Sequence, residues 1–198
     1  MTTVWTIGHS TRSIDDLIAV LRAFHIELVA DVRRFPGSRR LPQFSAESLE
    51  KSLAEAGIGY RWIPALGGRR RPDSTTDNSA WKNVAFRGYA DHTKTEEFSD
   101  GLNELLMLSE GLNTAMMCAE LLWWRCHRRI ISDVLVSLGV PVIHLRDEAH
   151  ADAHKLGPPA RIVDGSLTYS TVRSSQSDCS MPLPVRHTPK RPSPGRSS

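Results

Sequence analysis

The stretch TVWTIGHSTRSIDDLIAVLRAFHIELVADV, residues 3–32, decides the fold class. Its first five residues alternate and include β-forming types, which predicts a strand that Gly8-His9-Ser10 then ends. Ser13 begins a helix-capping pattern, and apolar residues spaced by three and four positions predict a helix from residue 14 to about residue 24. Residues 27–32 then predict a short buried strand. A strand, a helix and a second strand in this order favour a parallel sheet.

The same alternation continues along the chain. Ser45 begins a second predicted helix, which ends at Gly57, and a strand is predicted at residues 60–63. The remaining predicted elements are a helix at 95–110, a strand at 114–118, a helix that ends at Gly139, a strand at 140–145 and a hairpin around Asp164-Gly165. We therefore expect an α/β fold with an open, mostly parallel sheet and helices on both faces, of the Rossmann or rhodanese-like type, and a C-terminal hairpin.

Composition divides the chain into a body and a tail. At 198 residues, with 40% hydrophobic and 24% charged residues, the chain is long enough for one domain of ordinary size. We predict a single α/β domain over residues 1–170, in which residues 64–92 lack periodicity and form a long loop or lid. Residues 171–198 carry five Lys/Arg and one Asp/Glu and lack apolar periodicity, which predicts a disordered basic tail.

Several classes of protein are excluded by what the sequence lacks. No run of about 18 apolar residues is present, and the N-terminus lacks the layout of a signal peptide, so we expect a cytoplasmic protein without a membrane partner. The three cysteines cannot all pair within one chain, so reduced thiols are expected. Nothing in the sequence calls for a cofactor.

Three predicted strand ends carry the polar residues with the most chemistry. They are Gly8-His9-Ser10, Asp31-Val32-Arg33 and the segment 118–128, which contains Cys118, Glu120 and several cations. Ligands of parallel sheets collect at the carboxyl ends of the strands, where helix N-termini offer free N–H groups. We therefore expect these segments to meet around one cleft.

Four residues are candidates for catalysis: Asp31, Glu120, His9 and Cys118. The carboxylates could activate water or stabilise a developing cation, or they could pair with arginines and hold the loops. Cys118 could be a thiolate nucleophile or a small buried hydrophobic residue. Both alternatives stay open at this stage.

A second group of residues is predicted to bind the substrate or its phosphates. Arginine can clamp phosphate through two N–H groups, and aromatic rings stack on unpaired bases. The predicted binding residues are Ser10, Arg33, Arg39, Arg125, His127, Arg128, Tyr60, Trp62 and Trp124.

Cysteine and histidine also raise the question of a metal. Cys118, Cys126, His127 and His9 are suitable ligand types, but the spacing C-x7-C-H matches no common zinc signature, so no metal is expected. Direct pairing of Cys126 with His127 is not expected either, because neighbours in a helix point in different directions.

These motifs resemble those of the DUF488 family, a domain of unknown function. The shared motifs are TIGHSTRS at 6–13, DVRRFPGSRRLPQF at 31–44, LGGRRRP at 66–72, FRGYADH at 86–92, and MCAE with WRCHRR up to 129. The resemblance implies that these loops form the functional face. A second, weaker resemblance is to rhodanese-like domains, in which an Asp-x-Arg strand end and a Cys-led loop hold an oxyanion. Asp31-Val32-Arg33 and residues 118–128 match that arrangement, although the loop is longer here and rich in Trp.

Three hypotheses for function follow. The first is an enzyme that acts on a nucleic acid, DNA in particular, and hydrolyses a bond at a base held in an arginine and aromatic cleft, as a DNA-repair glycosylase does. The second is a small-molecule enzyme with Cys118 as nucleophile, similar to a sulfurtransferase or a phosphatase. The third is a nucleic-acid-binding module without catalysis. The sequence does not determine the oligomeric state.

Overall fold

A computed structural model of the chain describes residues 2–37 and 40–171. The strands are β1 (Val4–Gly8), β2 (Leu28–Asp31), β3 (Gly59–Trp62), β4 (Thr114–Cys118), β5 (Val142–Leu145), β6 (Ala151–Ala153), β7 (Arg161–Val163) and β8 (Ser166–Thr168). The α-helices are α1 (Ile14–Ala23), α2 (Ala46–Glu55), α3 (Val84–His92), α4 (Glu96–Gly111) and α5 (Arg128–Ser137).

The strands form a six-stranded sheet in the order β3-β2-β4-β1-β5-β6, and β7 and β8 form a separate hairpin. All neighbours in the large sheet are parallel except β5 and β6. Asp164 and Gly165 both have positive φ angles, of 50° and 77°, as a tight hairpin turn with primed geometry requires. The predicted α/β fold, its mostly parallel sheet and its C-terminal hairpin are confirmed.

Local sequence explains where the helices begin. The Ser13 side chain accepts a hydrogen bond from the backbone N–H of Asp16, and the Asp16 carboxylate accepts one from the N–H of Ser13, which completes a capping box. Ser45 caps α2 and Thr95 caps α4 through the same kind of side-chain acceptor. These caps satisfy N–H groups that no helical carbonyl can reach.

The alternation of side chains along the strands divides the core into two parts. Val29, Ala115 and Met117 pack with residues of α1 and α2 on one face of the sheet. Ala30 and Met116 point to the opposite face, where α4 and α5 cover them. Helices on both faces are therefore confirmed, and the central strand β4 is buried on both sides.

The largest difference from the sequence-based expectation lies within residues 64–92. Residues 84–92 form α3, which Asn83 caps, so this part of the expected loop is a helix. Trp81 and Tyr89 are buried in the core and are structural, and Trp81 stacks on the half-buried Phe86 at 4.7 Å. The short strand β6 was also not predicted. The expected basic tail lies, except for Thr171, outside the described residues.

No described helix combines the length and the apolar character that a membrane-spanning segment needs. The predicted cytoplasmic location and the single-domain division stay predictions.

A buried chain of polar groups runs from α5 through β1, β5 and the residue after β6. Arg128 donates to the Thr6 hydroxyl (3.3 Å), which contacts His144 Nδ1 (2.8 Å), and His144 Nε2 contacts His154 Nδ1 (2.9 Å). His154 Nε2 donates to the Asp133 carboxylate at 2.8 Å. With both histidines neutral, His154 donates to the carboxylate, His144 donates to His154, and Thr6 donates to His144.

His144 is neutral within this chain at pH 7. Burial, followed by the charges of His154 and Arg128, lowers the pKa of His144 to about 3. An unfolded histidine has a pKa of about 6.5. Between this pH and the folded pKa, the unfolded chain therefore binds a proton at residue 144 that the folded chain does not bind. The contribution of neutral His144 to the free energy of unfolding is complete above about pH 6.5, and it is lost as the pH falls toward the folded pKa.

We predict that the free energy of unfolding falls between pH 7.5 and pH 5.5, with about 1 kcal/mol of the loss due to His144. Urea denaturation at the two pH values measures it. A His144→Asn variant should reduce this dependence, whereas His25→Asn, at an exposed histidine, should retain it. A stability that stays constant or rises over this range would contradict the proposed neutral state.

Candidate functional site

The three strand ends predicted to converge do lie together. β4 lies between β2 and β1, and the register pairs Gly8 with Cys118 and Asp31 with Met117. Beyond the strands the pairing continues, because His9 N donates to Cys118 O (3.0 Å) and Val32 N donates to Met117 O (3.0 Å). The loops after β1, β2 and β4 therefore leave the sheet at the same edge.

Gly8 allows the loop after β4 to pass directly over the end of β1. A Cβ atom at Gly8 would lie 2.0 Å from the carbonyl oxygen of Glu120 and 2.8 Å from Cα of Leu121. Both of these atoms are backbone, so the loop would have to move to accept any side chain. The position of Glu120, in the loop after β4, therefore depends on the glycine at the end of β1.

Asp31 is completely buried and serves as the acceptor of a dense network. Its carboxylate receives the Nε–H of Arg33 at 2.8 Å, an Nη–H of Arg33 at 2.5 Å and the hydroxyl of Tyr60 at 2.8 Å. The sequence leaves two roles open for Asp31, either catalysis or pairing with an arginine that holds the loops. In the structure Asp31 pairs with Arg33. Asp31 lines neither of the two cavities that adjoin this edge of the sheet.

His9 belongs to the same network. Its Nδ1 donates to the carbonyl of Ser10 (3.0 Å), its Nε2 accepts from Arg33 (3.3 Å), and its ring stacks on Phe44 at 4.1 Å. Burial, and next the charge of Arg33, lower the pKa of His9 to about 4, so the ring is neutral at pH 7. His9 is only 3% exposed, which leaves it without access to a ligand in this conformation.

A cleft of about 450 Å³ opens at this edge of the sheet. Five of the predicted site residues line it: Arg33, Cys118, Glu120, Arg125 and His127. The sequence-based list missed other residues of the cleft, namely Arg34, Phe35, Arg69, Phe86, Tyr89 and Cys126. Two features of the sequence point to three of these residues. The run of arginines at 69–71 contains Arg69, and the motif that follows β2 contains Arg34 and Phe35.

The inner wall of the cleft contains two thiols and an imidazole. Cys126 Sγ lies 3.5 Å from His127 Nδ1, and Cys118 Sγ lies 4.0 Å from the same atom. The expectation that Cys126 and His127 cannot meet is wrong, because both residues precede α5 and Cys126 has an extended backbone. His127 Nε2 lies 2.9 Å from the carbonyl of Val32 and donates to it, so Nδ1 is the ring nitrogen that faces the sulfurs.

The two thiols differ in acidity. The hydrogen bond to Cys126, followed by burial, raises the pKa of Cys118 well above its usual value. Burial opposes ionisation of Cys126 as well, but its contacts with Cys118 and His127 outweigh burial and lower the pKa of Cys126. Without a bound ligand, Cys118 is therefore the protonated member of the pair and gives little support to its predicted role as nucleophile.

Arg128 is buried, with 1% of its surface exposed, and it supports the loop rather than a ligand. Its guanidinium donates to the carbonyls of Glu120 (2.5 Å) and Leu121 (3.3 Å) and to Thr6. Its Nε has no hydrogen-bond partner among the described residues. The predicted phosphate clamp is thus not formed by Arg128 in this structure.

The other predicted binding residues lie outside the cleft. Tyr60 is bonded to Asp31, and Trp62 Nε1 donates to the carbonyl of Arg33 at 2.9 Å. Trp124 is 43% exposed and contacts Trp123, while Ser10 supplies backbone hydrogen bonds after β1. Arg39 lies outside the described residues.

Comparison with known families covers the part of the chain that forms this cleft. The family model described as domain of unknown function DUF488 matches residues 13–135. The chain belongs to the DUF488 family. The DUF488 match includes β2, β3 and β4 and all the cleft residues named above, while Gly8 and His9 precede it. Comparisons with the curated proteins and with the solved structures give no match. The resemblance to rhodanese-like domains stays a prediction.

We predict that Gly8→Ala displaces the loop that carries Glu120 and lowers the free energy of unfolding by about 1–3 kcal/mol, as overpacking does. Urea denaturation measures the change. Gly111→Ala is the matched control, since nothing lies within 4 Å of a Cβ at that position. That control should leave stability unchanged or raise it slightly. Equal stabilities of the two variants would show that the loop accommodates the methyl group freely.

Proposed function

We propose that the protein is a hydrolase that acts on a nucleic acid, DNA first of all, and cleaves a bond at a base that enters the cleft. One observation carries the proposal. The cleft combines arginines that lack acidic partners, exposed aromatic surface and a single carboxylate around a pocket of about 450 Å³. This volume lies within the range of ordinary ligand pockets.

The cations of the cleft are available for an anionic ligand. Arg34, Arg69 and Arg125 have no carboxylate partner among the described residues, although Arg34 donates to the carbonyl of Arg69 at 3.3 Å. Neighbouring arginines are neutralised instead, since Arg70 pairs with Glu97 and Arg61 pairs with Glu104. Unpaired guanidinium groups are suited to bind phosphate through two N–H groups each.

Aromatic rings lie beside these cations. Phe35 is 66% exposed, and the guanidinium of Arg34 lies 5.8 Å from the centre of its ring. Phe86 lines the cleft and is held from behind by Trp81. The exposed ring of Phe35 next to arginines provides stacking surface for a base, which favours a nucleotide over a simple anion.

A second, larger cavity of about 880 Å³ adjoins the cleft. Arg34, Phe35 and Arg69 line both cavities, so the two lie side by side. A ligand longer than one nucleotide could extend from the cleft past these shared residues into the larger cavity, whose lining contains four arginines, one lysine and four carboxylates (Asp73, Asp77, Asp91 and Glu97). The space beside the cleft favours a polymer over a small molecule as substrate.

Glu120 supplies the carboxylate for hydrolysis. It is exposed and is the one acidic residue among the described residues that line the cleft. In a glycosylase reaction it would orient the water that attacks the sugar carbon and would stabilise the cationic sugar as the bond to the base breaks. Asp31 and His9, which the sequence also suggested for these roles, are engaged in the buried network.

The thiol mechanism has weaker support, because Cys118 is buried and its pKa is raised. A binding module without catalysis is the remaining alternative, and the variants below separate it from the enzyme.

We predict that Glu120→Gln lowers the rate of base release by about 100-fold or more, since a positioned acid–base group contributes about that much. DNA affinity should stay within about threefold of wild type, because the variant removes no cation. The assay incubates the protein with oligonucleotides that carry single damaged or modified bases and measures abasic sites by alkaline cleavage. Release of no base by the wild-type protein from any substrate would overturn the proposed activity.

We also predict that Arg69→Ala with Arg125→Ala weakens binding of single-stranded DNA at least tenfold. The slope of log affinity against log salt should fall in magnitude by about 0.7 for each phosphate contact removed. Lys51→Ala, an exposed cation on α2 away from both cavities, is the control and should bind within about twofold of wild type. Fluorescence anisotropy at several salt concentrations measures both quantities. A slope unaltered by the double substitution would remove the cleft from the DNA-binding surface.

A further inference from the structure

We propose that Cys118, Cys126 and His127 form a binding site for one zinc ion, with a fourth coordination position open to the cleft. The two sulfur atoms and the imidazole nitrogen all lie within 4.8 Å of one another. The site itself does not depend on the hydrolase function proposed above.

The spacing of the donor atoms fits tetrahedral zinc. With Zn–S bonds near 2.3 Å and Zn–N bonds near 2.0–2.1 Å, tetrahedral geometry requires ligand atoms separated by about 3.5–3.8 Å. The sulfur-to-nitrogen distances are 3.5 Å for Cys126 and 4.0 Å for Cys118. Only small rotations of the side chains would bring the three atoms to one ion.

His127 is already held in the orientation that a metal ligand needs. Its Nε2 donates to the carbonyl of Val32 at 2.9 Å, so that Nδ1, which carries the lone pair in the neutral ring, is the nitrogen that faces the two sulfurs. Metal-binding histidines ordinarily donate their second ring N–H to a carbonyl or carboxylate in this way. The backbone after β2 thus orients a ligand from the start of α5.

Two fold elements bring the ligands together. Cys118 is the last residue of β4, and the chain returns through a 3₁₀ turn at Trp123–Arg125 before Cys126 and His127. The adjacent pair can converge because it lies ahead of the helix and not within it. This geometry explains why a spacing that matches no common zinc signature can still form a site.

The composition of the site indicates a catalytic rather than a purely structural ion. Structural zinc is enclosed by four protein ligands, whereas catalytic zinc has three and retains a position for water. All three residues border the cleft, and the described residues offer no fourth cysteine, histidine or carboxylate in the cluster. Two thiolates with one imidazole constitute a known catalytic ligand set.

The role of such an ion rests on the proposed function. Zinc lowers the pKa of a bound water to about 7, which provides hydroxide as a nucleophile at neutral pH. Glu120 borders the same cleft two residues after Cys118. Hydrolysis would then consume this water, form a carbon–oxygen bond, break a carbon–nitrogen bond at the base and transfer the proton to the leaving nitrogen.

The test is metal binding by the reduced, full-length protein. After removal of metal with a chelator, the protein is titrated with zinc against a chromophoric competitor and, separately, with cobalt. We expect one equivalent of zinc and a cobalt spectrum with thiolate charge-transfer bands and the intense visible bands of tetrahedral coordination. Cys118→Ser, Cys126→Ser and His127→Ala should each lower zinc affinity by about 100-fold or more.

Cys179→Ser is the matched control, because it removes the remaining cysteine of the chain and should retain full zinc affinity. Circular dichroism checks the fold of every variant, and the cobalt spectrum of the wild-type protein counts its thiolate ligands even if a variant fails to fold. Absence of zinc binding by the reduced wild-type protein, or binding that only Cys179→Ser weakens, would overturn the site.

These outcomes are separate from those of the hydrolase assay. Zinc bound at one equivalent without base release would retain the site and remove the proposed activity. Base release by metal-free protein would retain the activity and remove the ion from it.

Discussion

The buried ion pair between Asp31 and Arg33 is the interaction on which the candidate site depends. It connects the end of β2 to Tyr60 of β3, and Arg33 continues to His9 after β1 and to the carbonyl of Phe44. Removing one partner of a buried pair typically costs about 3–5 kcal/mol, because an uncompensated charge stays in the interior. The ends of β1 and β2, Tyr60 within β3 and the 3₁₀ turn at Pro42–Phe44 are therefore fixed relative to one another.

A second buried arginine performs the corresponding task for the loop after β4. Arg128 holds the carbonyls of residues 120 and 121 and continues through Thr6 into the polar chain that ends at Asp133. The clustered arginines of the sequence therefore have two different roles. Arg33 and Arg128 stabilise loops, while Arg34, Arg69 and Arg125 remain available to a ligand.

The sequence predicted the fold well because hydrophobic periodicity reports burial directly. It also predicted that His9, Arg33 and Glu120 would lie at one edge, since parallel strands end on the same side. It failed for α3, where Gly88 and alternating polar residues interrupt the apolar stripe. A Cβ at Gly88 would lie 2.5 Å from the carbonyl of Arg70, so close packing, which no periodicity reports, determines that residue. The sequence likewise could not separate buried Asp31 from exposed Glu120, nor buried Arg128 from exposed Arg125, because tertiary packing decides their exposure.

The order of the sheet has a consequence for association between molecules. Its two edge strands, β3 and β6, are short, and Arg61 on β3 carries a charge paired with Glu104. Exposed edge strands can pair with strands of other chains through their free backbone N–H and C=O groups. Short, charged edge strands offer few such groups and disfavour this pairing. Both edges of the sheet therefore disfavour strand pairing between molecules, and at high protein concentration this opposes the growth of fibrillar aggregates.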